Sequence, residues 1–150
     1  MNIKSNKQYH PQMHSAEHIL NQTMVRVFGC ERSFSNHIEK KKSKCDYRFD
    51  RALTPEETSE IEKNVNAVVR SDLPVTETFL KKEAAEKTFD LNRLPEDADG
   101  RIRIVRIGEY DACPCIGPHV ASTGEIGGFR ITSASFENDV LRIRFKLSKD

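Results

Sequence analysis

Two short runs in this 150-residue chain carry metal-capable side chains four residues apart. They are His14-Ser15-Ala16-Glu17-His18 and Cys115-Ile116-Gly117-Pro118-His119. Together they offer three imidazoles and one thiolate, a donor set that suits a tetrahedral zinc ion. Nearly a hundred residues separate the runs, so only folding can bring them together.

In a helix, residues four apart share a face one turn above the other, so His14 and His18 can point at a common metal. Alone, such a pair is also compatible with an amphipathic helix bearing two half-exposed histidines. The second pair shifts that balance, because a Pro- and Gly-containing loop can turn Cys115 and His119 inward. Cys113 competes for the thiolate role, since in an extended segment Cys113 and Cys115 face the same way. The matched spacing favours Cys115. Glu17, three residues after His14, could serve as a general base on a metal-bound water. Read from position alone, a solvent-exposed helix glutamate is slightly favoured.

The elements that must position these residues follow from periodicity and caps. A first helix is expected over His14–Phe28, with Ile19, Leu20, Met24, Val27 and Phe28 as its apolar stripe and Gly29 as its C-cap. Residues 30–46 read as polar and irregular, with a basic run at Lys40, Lys41 and Lys42. The stretch Tyr47-Arg48-Phe49-Asp50 alternates like a strand. Thr54-Pro55-Glu56-Glu57 starts a second helix, with a Thr N-cap, a Pro at the first position and acids in the first turn. Its apolar residues Ile61, Val65, Val68 and Val69 carry it to about Ser71. A strand over 75–79, a short helix over 81–87, a turn-rich loop over 94–100 and strands over 101–107, 129–135 and 140–147 complete the order. Strands in adjacent pairs without helical crossovers predict an antiparallel α+β domain spanning residues 1–150.

Composition narrows the function classes. Charged residues are 31% of the chain and hydrophobic ones 37%, a polar but globular balance. No apolar run approaches the roughly 18 residues that a membrane span needs, and the N-terminus lacks a signal-type apolar stretch. A cytoplasmic location is expected. There the four cysteines are better read as metal ligands or buried residues than as disulfides. The net charge of +1 gives no global pull on nucleic acid. Any such contact must come from local clusters, of which Val140–Leu147 is one, alternating apolar residues with Arg142, Arg144 and Lys146. Arg101, Arg103 and residues 40–44 add positive charge. On residues alone, a solvated face is the favoured reading of these cations.

Three motifs resemble the second additional domain of alanyl- and threonyl-tRNA synthetases, which also occurs as free-standing AlaX-type editing proteins. They are His14-Ser-Ala-Glu-His18-Ile-Leu, Cys115-Ile-Gly-Pro-His119-Val and Ser122-Thr123-Gly124-Glu125-Ile126-Gly127. The strand Tyr47–Asp50 and the helix from Thr54-Pro55 through Asn66 are similar in character, so the resemblance covers nearly the whole chain. It implies an editing-domain α+β fold with His14, His18, Cys115 and His119 around zinc. It implies hydrolysis in trans of mischarged aminoacyl-tRNA, typically seryl- or glycyl-tRNA(Ala), for which Glu17, on the residue reading above, is the candidate proton acceptor. Gly117, Thr123, Gly124 and Gly127 would lie on the substrate side, with ordinary turns as the alternative for Gly124 and Gly127. Lys40, Lys41, Lys42, Arg142 and Arg144 would meet the tRNA backbone. No stable protein partner is implied. The family commonly reads Cys-Gly-Gly-Thr-His in the second motif, so Ile116 and Pro118 alter the cleft wall, and Glu17 stands where the synthetase-borne domains often have Thr.

Two rival functions fit the metal motifs. One is a zinc hydrolase of another kind built on His-x-x-Glu-His, which leaves Thr-Gly-Glu-Ile-Gly unexplained. The other is a non-catalytic RNA-binding module with a structural zinc, closed by four protein ligands.

Overall fold

A capping box opens the second helix, and it shows how closely local sequence sets the frame. The Glu57 N–H donates to Thr54 Oγ1 at 3.1 Å, and the Thr54 N–H donates to Glu57 Oε1 at 2.9 Å. The computed structural model describes residues 10–89 and 100–148. In order, its elements are α1 (Pro11–Phe28), β1 (Ser35–Ile38), β2 (Ser43–Arg48), α2 (Pro55–Arg70), β3 (Val75–Lys81), α3 (Lys82–Glu86), β4 (Arg101–Ile107), β5 (Asp111–Pro114), a 3-10 turn (Thr123–Glu125), β6 (Gly128–Glu137) and β7 (Val140–Ser148). The fold is α+β, as the sequence implied. The loop expected over 94–100 lies outside the described residues except for Gly100.

Two antiparallel sheets form, one in the order β1-β2-β7-β6 and one in the order β3-β4-β5. Strand alternation works as expected on β7: Leu141, Ile143 and Phe145 are fully buried, while Arg142, Arg144 and Lys146 take the other face. Those apolar residues join Ile19, Leu20 and Met24 of α1, Tyr47 of β2 and Ile61 and Val65 of α2 in one core. A smaller cluster of Ala85, Ile102 and Ile104 packs α3 on the second sheet.

Helix α1 starts one turn earlier than periodicity suggests, at Pro11, whose missing N–H is harmless in a first turn. It ends at Gly29, left-handed with φ 70°, whose N–H donates to Val25 O. Every residue from Met13 to Asn21 is buried, polar ones included, so α1 is enclosed rather than half-wetted. That enclosure gives its polar side chains protein partners instead of water.

Two expectations fail. Residues 30–46 are not irregular: they contain β1 and most of β2, which form a hairpin. The pattern was hidden because β1 has only Ile38 buried, and because Ser43 and Asp46 are buried polar residues inside β2. Asp46 tolerates this by accepting two hydrogen bonds from Arg142 across the sheet, at 2.7 and 2.9 Å. The strand read at Tyr47–Asp50 correspondingly ends at Arg48. Strand β5 was unforeseen, since Asp and Pro are both poor strand residues. It lies at a sheet edge, where a missing N–H can be tolerated.

Candidate metal centre

The two motif runs meet. His14, His18, Cys115 and His119 each present a ligand atom, and these atoms lie within 4.8 Å of one another. Helix α1 supplies the first pair from one face. The second pair comes from the loop after β5, where the Cys115 N–H donates to Arg103 O at 3.1 Å. The His14 and His119 rings stack at 4.2 Å between centroids, and His18 meets both edge-on.

Each imidazole is oriented through its Nδ1 edge. Nδ1 of His14 lies 3.0 Å from Pro118 O, and a carbonyl only accepts, so this nitrogen carries the proton. Its Nε2 then faces Cys115 Sγ at 3.2 Å. Nδ1 of His119 pairs with Ser15 Oγ at 2.9 Å, and its Nε2 is buried with no hydrogen-bond partner. Nδ1 of His18 faces Asp111 Oδ2 at 3.6 Å, longer than a hydrogen bond but close enough for charge attraction. Two rings held at Nδ1 by hydrogen bonds and a third beside a carboxylate, gathered around one sulfur, form the donor arrangement of a metal site. The orphaned Nε2 of His119 is the clearest sign, because a buried polar atom without a partner costs about 1–3 kcal/mol.

Electrostatics favour the ligating form of the sulfur. Burial alone would raise the Cys115 thiol, but the imidazoles that surround its sulfur, His119, His14 and His18, hold it far below its usual range, at about 2. Burial opposes charge on His18 too, yet Asp111 and Cys115 raise it to about 10. Burial, reinforced by the charge on its neighbour His18, lowers His119 to about 4. In the metal-free cluster these shifts favour a thiolate at Cys115 beside a protonated His18.

Asp111 anchors the far side of His18. It is 4% exposed, and it accepts hydrogen bonds from Arg32 at 2.7 Å and Gln22 at 2.8 Å. Burial works against its charge, but His18 and Arg32 hold the carboxyl down at about 2. Neither Asp111 nor Arg32 was singled out from sequence. Arg32 sits in the stretch read as irregular, and a carboxylate four residues before Cys115 was the one available hint.

The remaining candidates separate. Glu17 is 4% exposed, which overturns its reading as a solvent-exposed glutamate. Its Oε1 lies 3.9 Å from His14 Nε2, and its Oε2 accepts from Asn36 Nδ2 at 2.7 Å. Gly117 packs against His14 so tightly that a Cβ there would sit 2.3 Å from His14 Cε1. Cys113 lies on β5 outside the four-donor group, with Sγ donating to Pro114 O.

Thr123 and Gly124 lie elsewhere. Thr123 is fully buried, donating to Val68 O and accepting from the Leu73 N–H, both at 2.8 Å. The Gly124 N–H donates to Asp72 Oδ1 at 3.1 Å. Gly124 and Gly127 line a cleft of about 850 Å³ with Lys40, Met13 and Arg70, and none of the four metal-capable residues lines it. Lys40, Lys41 and Lys42 are exposed in the β1–β2 turn. Arg142 and Arg144 lie on the sheet face away from the core, Arg142 tied to Asp46 and Arg144 within 3.4 Å of Ser133 Oγ.

Among the described residues, no helix is long and apolar enough to cross a membrane.

Comparison with known proteins places this geometry in a lineage. Residues 102–144 match the threonyl and alanyl tRNA synthetase second additional domain. Over 129 residues, 81% of this chain, the sequence is 36% identical to the alanine–tRNA ligase of Rickettsia massiliae (strain Mtu5), of which it covers 14%. It is 32% identical over 133 residues to the alanine–tRNA ligase of Idiomarina loihiensis, covering 88% of this chain and 15% of that enzyme. The chain thus spans about one seventh of the curated relatives it matches. The matched region contains Cys115 and His119, and the longer alignments extend over most of the chain, so the chain belongs to the family of threonyl and alanyl tRNA synthetase second additional domains.

Proposed function

We propose that this chain hydrolyses the ester bond of mischarged aminoacyl-tRNA, seryl- or glycyl-tRNA(Ala) first, at a zinc ion held by His14, His18, Cys115 and His119. The observation that carries this reading is the convergence of four anchored donors beside a buried carboxylate. Zinc, when bound, supplies Lewis acidity toward the ester or its attacking water.

The chain's own residues supply position and proton transfer. Glu17, oriented by Asn36, stands 3.9 Å from the His14 Nε2 and accepts the proton of the attacking water. Asp111, Ser15 and the Pro118 carbonyl hold the three rings at Nδ1. Gly117 leaves the space His14 needs. The Lys40–Lys42 turn and the Arg142 and Arg144 face offer cations to the RNA backbone.

Physical reasoning supports a separate hydrolytic site of this kind. An apolar pocket for alanine rejects serine poorly, because serine merely adds a hydroxyl, whereas a polar second site can reject alanine strongly. The second reading, a non-catalytic RNA-binding module, is favoured by the count of four protein donors, which can close a tetrahedral zinc site. Deacylation separates the two. Seryl-tRNA(Ala) is expected to be hydrolysed faster than alanyl-tRNA(Ala) by the zinc-loaded protein. Equal, background-level loss of both would reject the deacylase.

A further inference from the structure

Among the described residues, two large hydrophobic side chains are exposed: Phe79 at 47% and Ile116 at 62%. Scattered apolar residues on a surface need no explanation, but these two are not scattered. Arg103 joins them. It is the register partner of Phe79 on β4, so the two side chains share a sheet face. Its Nη1 donates to Cys115 O at 3.1 Å and to Gly117 O at 2.7 Å, gripping the loop on both sides of Ile116.

This face rises out of the core. Along β4, Val105 is buried, Arg103 half-buried and Arg101 exposed. Phe79 stands where the face emerges, with the Arg101 guanidinium 5.3 Å from its ring centroid. Lys81, the register partner of Arg101, is exposed beside it. The grouping is an aromatic ring, a guanidinium and an ammonium at the rim of the loop that carries Cys115. Among the described residues, Glu77 is an exposed acid on this face and is paired with Arg103, and Asp111 at its buried end is bound to Arg32.

We propose that Phe79, with Arg101 at its ring and Arg103 linking it to the Ile116 loop, is a stacking platform for the terminal base of an unpaired RNA 3′ end. Unpaired bases are bound by stacking on aromatic rings and guanidinium planes, with cations tracking the backbone. The charge of the rim matches a phosphodiester strand. Its position matches as well: an aminoacyl ester sits on the terminal ribose, so the base that bears it must dock within one nucleotide of the hydrolytic centre. The inference rests on the deacylase reading and assigns the base a place outside the metal cluster.

The test uses an uncharged acceptor-stem hairpin with a 3′ overhang ending in 2-aminopurine, so binding is read without chemistry. Wild-type protein should quench the fluorophore. Phe79→Ala should lose the quenching and bind about 5- to 100-fold more weakly, the range for removing one base–aromatic stack. Phe79→Tyr should restore both. A hairpin lacking the terminal nucleotide should bind wild type and Phe79→Ala alike. Unchanged melting temperature and metal content in Phe79→Ala separate a lost contact from a lost fold. Equal quenching and affinity in wild type and Phe79→Ala would overturn the platform. If wild type still hydrolyses mischarged tRNA in that case, the deacylase reading survives. If wild type neither binds the hairpin nor hydrolyses mischarged tRNA, both fall.

Discussion

Two runs that carry the family resemblance end in opposite chemical conditions. In Cys115–His119 the side chains face one another with bonding capacity to spare: His119 Nε2 is buried without a hydrogen-bond partner, and Cys115 is held as a thiolate. In Thr123–Gly127 that capacity is used up. The Thr123 hydroxyl both donates and accepts, and the Gly124 N–H is taken by Asp72. One run is poised to bind something. The other fastens the start of β6 to the end of α2. A shared motif therefore says that a residue is needed, and its unmet valence says whether it is needed for chemistry.

The largest test of that contrast is Gly117→Ala. The new Cβ would lie 2.3 Å from His14 Cε1 and 2.7 Å from Nδ1, displacing the ring from Pro118 O. Metal affinity should fall beyond the ~10–100-fold typical of lost outer-shell partners, with the fold retained by circular dichroism. Unaltered affinity would mean that His14 does not ligate.

Asp111→Asn is next. Losing the carboxylate behind His18 should weaken metal binding ~10–100-fold in a chelator competition. It should also change the pH dependence. His18 is raised from 6.5 to about 10, so its protonation stabilises the metal-free fold below about pH 6.5, and that stabilisation fades as pH rises through about 10. Metal must displace this proton, so affinity rises with pH between those values, and calorimetry in buffers of different ionisation enthalpy should show proton release at pH 8. Asn at 111 should reduce that release. Binding at pH 8 with no buffer dependence would contradict the protonated His18.

Thr123→Val is the smallest of the three and probes the other run. It leaves the Leu73 N–H without its partner, while Val68 O keeps the Ser71 N–H, and this should cost about 1–3 kcal/mol of stability. Metal content and deacylation below the melting transition should stay as in wild type. A selective rise in KM with unchanged stability would instead make Thr123 a substrate contact.

What could be read from sequence tracks how local each signal is. The His14–His18 pair follows from helical spacing, and the inward Leu141, Ile143 and Phe145 follow from strand alternation. Both are properties of a few consecutive residues. Strands β1 and β5 escaped because each has four residues, with charge, polarity or proline on much of its length. Asp111, Arg32 and Asn36 escaped because their roles depend on partners 79, 89 and 19 residues away, which no local pattern encodes. Glu17 shows the same limit. As a helix residue beside two histidines it read slightly in favour of exposure, and the enclosure of α1 overturns that.

If four residues from two distant runs hold one metal ion and Thr123 contributes none of the donors, metal per chain must follow the first set and ignore the second. Inductively coupled plasma mass spectrometry on wild type, Cys115→Ala and Thr123→Val should find about one zinc in wild type and in Thr123→Val, and a large loss in Cys115→Ala. Equal zinc in wild type and Cys115→Ala, or no zinc in either, would overturn the four-residue site.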